Sequence, residues 1–299
     1  MTVRLNEPEP KTNNPAQHAQ KKENNMNKTT IIAGSLIALL ASGPAQAEDK
    51  LVLDGSTTVG PIAKAFAEYY MAREKGVNVT VSESGSGNGA KSLLNGTCDI
   101  ACMSRAMKDS EIQAAVEKKV APVQHVVAFD GLPMLVHPSN PVKALTRKQI
   151  EAIYTGEIAN WKDVGGLDLP IVVVSRDTNS GTYETFKELV LSKDAKIKAG
   201  AEYTGSNGAI RQRVQSTQGA IGYAGLGFVD QTVKALAVDG ILPSVETVIA
   251  GTYPLSRKLF MYTNGQPAKE SHVAKFIDLA RQPKGKEIVE EIGFVPLQD

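Results

Sequence analysis

Three times along this chain a short apolar run gives way to a loop rich in Gly, Ser and Thr and then to a helical segment: Asp54-Gly55-Ser56-Thr57-Thr58, Gly85-Ser86-Gly87-Asn88-Gly89 and Asn179-Ser180-Gly181-Thr182. Such a junction between strand and helix belongs to an α/β sheet, and it restricts the fold more than any other feature. A helix N-terminus carries unpaired N–H groups and a partial positive charge, so it suits an anion. Glycine lets backbone come close, and hydroxyls add short donors. Taken singly, each loop is as well explained by helix capping and turn formation. Three together, one preceded by Arg176-Asp177, point to an anion site at the carboxyl ends of strands.

The rest of the pattern agrees. Residues 51–53 read as a strand, and Pro61 suits the first turn of a helix whose apolar face carries Ile62, Phe66 and Tyr69 or Tyr70. Val77, Val79 and Val81 alternate with polar residues, as in a half-buried strand. A helix over 90–94, a strand over 100–103, a helix capped by Ser110 and a strand over 123–129 follow. The apolar run 132–137 ends at Pro138 and Pro141. Thr146-Arg147-Lys148-Gln149 has the capping-box spacing and opens a helix that Gly156 closes. Four β-branched residues at 171–174 predict a strand buried on both faces. Helices over 182–191 and 209–218, strands over 220–223 and within 253–262, and helices over 268–279 and 284–292 complete the pass. The alternation predicts mostly parallel sheets. No linker decides between one sheet and two.

Residues 1–47 stand apart. Met26-Asn27-Lys28, an apolar run over 31–41 and Ala45-Gln46-Ala47 reproduce the regions of a secretory signal peptide, with a buried amphipathic helix as the alternative. The run is short for a bilayer span. Met26 reads as the initiator, and without a following Cys no lipid anchor is expected. Removing these residues leaves 28 basic against 29 acidic side chains, which makes nucleic acid an unexpected partner.

Catalytic and metal patterns are not in evidence. Cys98 and Cys102 lie four apart, roughly 13 Å along a strand, beyond the roughly 7 Å that a disulfide spans between Cα atoms. They read as core residues. His125, His137 and His272 are scattered, so no metal site is expected. There is no G-x-S-x-G elbow, H-E-x-x-H or P-loop lysine. Gly85-Ser86-Gly87-Asn88-Gly89-Ala90 also fits a dinucleotide fingerprint, with Asp109 as a ribose contact. Against it, the motif lies outside the first βα turn and Asp109 precedes a helix instead of ending a strand.

At these residues the chain resembles the periplasmic phosphate-binding proteins of ABC-type uptake systems, from about Lys50 to the C-terminus. The motifs are Asp54-Gly55-Ser56-Thr57-Thr58-Val59, Gly85-Ser86-Gly87, Arg176-Asp177-x-x-Ser180-Gly181-Thr182, Gly219-Ala220-Ile221-Gly222-Tyr223 and the stretch from Leu145 to Gly166 that contains Asn160-Trp161. The resemblance implies an α/β, two-lobed type II periplasmic binding protein fold with a ligand cleft between the lobes. Lobe 1 would comprise 48–130 plus 252–299, lobe 2 131–251. Inorganic phosphate would be held by Ser56, Thr57 and Thr58, by Ser86, and by Arg176, Ser180, Gly181 and Thr182, with no cofactor or metal.

In one place the chain departs from the family. Longer members carry, after the third strand, an aspartate that accepts the proton of hydrogen phosphate; here Ser104-Arg105 stands there. Asp130 is the candidate replacement, with a turn residue or a partner for Arg105 as the alternative. Arg105 is read as a second ligand, or else as a charge pair with an acid. Trp161 is expected to serve packing. The expected function is periplasmic capture of phosphate by a monomer that delivers it to an ABC permease in the inner membrane. The alternatives are another tetrahedral oxyanion (sulfate or molybdate) and a secreted phosphoester hydrolase.

Overall fold

The computed structural model describes residues 49–298; the signal-peptide reading lies outside them. In chain order the elements are β1 (Asp49–Gly55), α1 (Gly60–Arg73), β2 (Val77–Ser82), α2 (Ser86–Leu94), β3 (Ile100–Met103), α3 (Asp109–Glu117), β4 (Pro122–Gly131), β5 (Met134–Val136), β6 (Ala144–Leu145) and α4 (Arg147–Thr155). After them come β7 (Val172–Arg176), α5 (Gly181–Val190), β8 (Glu202–Thr204), α6 (Asn207–Gln215), β9 (Ala220–Tyr223), β10 (Lys234–Val238), α7 (Val245–Ile249), β11 (Ser256–Asn264), α8 (His272–Asp278) and α9 (Pro283–Glu291).

The strands form two sheets, with orders β2-β1-β3-β11-β4 and β6-β10-β5-β9-β7-β8. β1 pairs in parallel with β2 and β3, as the strand–loop–helix pattern requires. The expectation of mostly parallel sheets fails at β11, which runs antiparallel to β3 and β4. The reason is connectivity. The chain leaves the first sheet at the end of β4 and returns at the start of β11, and the two segments pair from Gly131↔Ser256 to Pro122↔Asn264. β5 likewise runs antiparallel to β9 and β10.

Each sheet has its own core. Leu51, Leu53, Ile62, Phe66, Leu259, Met261, Phe276 and Phe294 fill the first. Leu132, Val136, Tyr154, Trp161, Phe186, Tyr223, Tyr253 and Leu255 fill the second. Burial of each such side chain contributes about 1.5–3 kcal/mol. Phe186 and Tyr223 stack with centroids 4.2 Å apart. Trp161 packs there and donates Nε1–H to Gly219 O at 2.9 Å. Cys98 and Cys102 are buried and unpaired, and desolvation pushes the Cys98 thiol up to about 12, as fits core residues.

Thr146 caps α4 through the expected box, its hydroxyl accepting from Gln149 N. Ser110 does not cap α3: the helix already starts at Asp109, because Glu111 turns back to accept from Lys108 N at 2.9 Å. No helix among the described residues is long and apolar enough to cross a membrane.

Candidate functional site

The three loops meet, and a fourth joins them. In the first, Gly55 takes φ +134°, which lets Ser56 N bond Cys102 O at 2.8 Å; a Cβ at Gly55 would overlap that carbonyl. Ser56 Oγ accepts from Thr58 N and Val59 N, so this hydroxyl is used within the turn that leads into α1. Thr57 and Thr58 are left buried at the start of α1. In the second loop, Ser86 opens α2 and its Oγ accepts from Ser104 N at 3.1 Å. In the third, Ser180 caps α5 by accepting from Tyr183 N, which leaves Gly181 and Thr182 at the helix start.

Contact between the sheets is close here. A Cβ on Gly181 would overlap Ser86 Oγ and Ser104 Oγ, so only glycine lets the start of α5 sit against the start of α2. Gly87 N donates to Asn179 O at 2.9 Å across the same junction. Asp109 opens α3 rather than ending a strand, so the dinucleotide reading finds no support.

Thr58 and Thr182 bring their hydroxyls to 2.9 Å from opposite sheets. Two residues that sequence reasoning missed complete the cluster. Asn207, at the start of α6, is fully buried and donates Nδ2–H to Thr57 and Thr58, each at 2.9 Å. Its loop, Thr204-Gly205-Ser206-Asn207, has the same composition as the other three, and that signal could have found it. Arg257, near the start of β11, donates to Thr182 Oγ1 at 3.0 Å and Thr58 Oγ1 at 3.4 Å. Its Nε and Nη2 reach Asp130 Oδ2 at 2.9 and 2.7 Å. No local signal in Ser256-Arg257-Lys258 marks that role.

Arg176 is 1% exposed and donates to the carbonyls of Thr204 and Gly205, while its Nη1 has no partner. Desolvation draws this guanidinium down to about 10, and neighbouring Arg257 acts the same way. Among the described residues, Asp130 is the only fully buried carboxylate. Burial raises its pKa above the ordinary carboxylate range, while Arg257 and the bond from Leu226 N pull the other way. The cluster thus holds two buried guanidiniums against one carboxylate. An uncompensated buried charge costs several kcal/mol, and an anion would remove that cost.

Arg105 is not brought to the cluster. Its guanidinium meets Glu111 through two bonds of 2.8 and 2.7 Å. Asp130 is neither a turn residue nor a partner of Arg105; it lies within β4, directly opposite Arg257. Among the described residues no group of three or more His, Cys, Asp or Glu side chains could hold a metal ion.

Two α/β bodies joined by two chain crossings, with helix starts from both aimed at one buried polar cluster, define a two-lobed solute-binding protein of the type II fold. A family model described as "PBP superfamily domain" matches residues 40–281. The phosphate-binding protein PstS of Borreliella burgdorferi is 32% identical over 91% of this chain and 100% of its own length. Protein SphX of Synechococcus elongatus is 36% identical over 89% of this chain and 83% of its own. Among solved structures, a Clostridium perfringens ABC-transporter substrate-binding protein, assigned to phosphate and solved with phosphate bound, superposes with a TM-score of 0.77. It is 34% identical and covers 84% of this chain and 100% of its own. The chain belongs to the PBP superfamily, in the family of phosphate-binding proteins of ABC transport systems.

Proposed function

We propose that the protein captures inorganic phosphate outside the cytoplasm, after removal of residues 1–47, and passes it as a monomer to an ABC permease. The observation that carries this reading is the convergence of Thr58, Thr182, Asn207, Arg176 and Arg257 from two sheets onto one buried place with a single acceptor carboxylate. In this reading residues 48–130 with 252–299 form one lobe and 131–251 the other. The change of core at Gly131 supports the first crossing, while at the second Tyr253 and Leu255 still pack in the second core and the first core resumes at Leu259. The Thr58–Thr182 contact is then a closed arrangement, and the anion enters by replacing it when the lobes part.

In this reading Thr57, Thr58, Thr182 and Asn207 donate to the phosphate oxygens. The starts of α1, α2 and α5 supply backbone N–H groups, and Arg176 Nη1 supplies a charged donor. Ser56 acts by holding the turn before α1, Ser180 by capping α5, and Ser86 by holding the loop after β3. Phosphate near neutral pH keeps a hydroxyl that sulfate lacks; Asp130 accepts it, which favours phosphate and repels sulfate. Relatives named for phosphate binding support the ligand. Binding without turnover is part of this reading, supported by relatives named for phosphate binding.

Calorimetric titration with phosphate, sulfate and molybdate tests this. Phosphate is expected to give saturable heat at one site per chain, with the other two weaker. An absence of saturable heat with phosphate removes the assignment, and steady hydrolysis of a chromogenic phosphate ester would restore the hydrolase reading.

A further inference from the structure

Arg257 has a place that simple ligation does not explain. It stands opposite Asp130 in the β4–β11 ladder, so backbone pairing fixes the two together where the chain crosses between sheets. Their side chains are 5% and 0% exposed. Arg257 Nε and Nη2 both bond Oδ2, which uses that oxygen's two lone pairs. Oδ1 accepts only from Leu226 N, at 2.8 Å, and keeps one lone pair. The other groups facing the pair are Tyr253, whose hydroxyl is used on Leu132 O, and Arg176.

We infer that Arg257 is the residue that sets oxyanion specificity: its ion pair with Asp130 keeps one acceptor ionised in a site otherwise made of donors. The site then takes a protonated tetrahedral oxyanion and refuses a fully deprotonated one. The inference rests on phosphate being the ligand. Its physical basis is the fate of Asp130 without Arg257. Burial disfavours the carboxylate, and a single backbone N–H would be left to hold it. The carboxyl would take up a proton and turn from acceptor to donor. Every group around the anion would then donate, which suits sulfate as well as hydrogen phosphate.

The test compares phosphate and sulfate affinities by calorimetry at neutral pH in Arg257→Gln, Arg257→Lys, Asp130→Asn and the Asp130→Asn/Arg257→Gln pair. Arg257→Gln and Asp130→Asn should each lower the phosphate-to-sulfate ratio by about tenfold or more. In the Asp130→Asn background, Arg257→Gln should change that ratio less than about threefold, because the acceptor is already gone. Arg257→Lys keeps a cation beside Asp130 and should keep the ratio within about threefold while weakening both anions. Loss of one partner can unfold a buried pair; if Arg257→Gln does not fold, the lysine variant and the double variant carry the test. An unchanged ratio in Arg257→Gln, loss of both anions there, a collapsed ratio in Arg257→Lys or a further tenfold drop in the double variant would each overturn the inference. If wild type binds no phosphate, the reading beneath it fails instead.

Discussion

Arg105 lies just past the buried strand β3 and Arg176 ends the buried strand β7, each before a polar loop and a helix. Their surroundings differ in one respect. Arg105 has an acid from the next helix, Glu111, bonded to both terminal nitrogens. Arg176 has only backbone carbonyls, for Asp177 turns its Oδ1 to Asn179 N instead. One arginine has its charge met by a bonded carboxylate; the other has none within hydrogen-bond reach, Asp177 acting on it only at longer range, and each keeps one unused N–H. A buried arginine is therefore weak evidence for an anion site, and a buried arginine with no carboxylate bonded to it is stronger evidence.

The largest effect expected from this contrast is on phosphate affinity. Arg176→Ala should cost about 3–5 kcal/mol, several hundredfold in Kd or more. Arg105→Ala should change Kd less than about threefold while lowering Tm, because Glu111 loses its partner. Titration calorimetry and thermal unfolding on the same preparations check both. Equal losses of affinity would erase the distinction.

Asn207→Ala comes next. It removes two donated bonds to Thr57 and Thr58 and should weaken phosphate by about 1–3 kcal/mol, roughly fivefold or more. Wild-type affinity in this variant would show that α6 only lines the cluster.

Acidification should have the smallest and most gradual effect. Burial, partly offset by Arg257 and Leu226 N, lifts the Asp130 pKa above its ordinary 3.8. As pH falls through that raised value, the acceptor is lost, and the phosphate-to-sulfate affinity ratio should decline before exposed carboxylates titrate. For this group alone the sign on stability is opposite. The native state holds the proton longer than the unfolded chain, so ligand-free stability falls as pH rises from about 3.8 through the raised value. A ratio that stays flat down to the ordinary carboxylate range would contradict the role given to Asp130.

How much of this could be read in the sequence depends on how local the information is. Strands 100–103 and 220–223 end where the apolar runs end, and the Thr146 box fixes its helix through neighbours three residues apart. The three glycine-rich loops were legible for the same reason. The fourth shares their composition but is easier to pass over, because β8 is only three residues long and its Tyr203 is half exposed, which leaves no apolar run to announce a strand before Asn207. Arg257 was illegible in principle. Its meaning comes from Asp130, 127 residues away, through a strand pairing that no local pattern encodes. Ser104-Arg105 misled for the converse reason: it occupies the expected place in the chain, but Glu111 claims its charge.

In the proposed function the anion sits in the hydroxyl and guanidinium cluster between the sheets. A crystal structure of the protein grown with phosphate tests it directly. A tetrahedral anion is expected between Thr58 and Thr182, with Arg176 Nη1 and Asn207 Nδ2 within hydrogen-bond distance. Phosphate bound instead beside Arg105 and Lys108, with the Thr58–Thr182 contact intact, would contradict it.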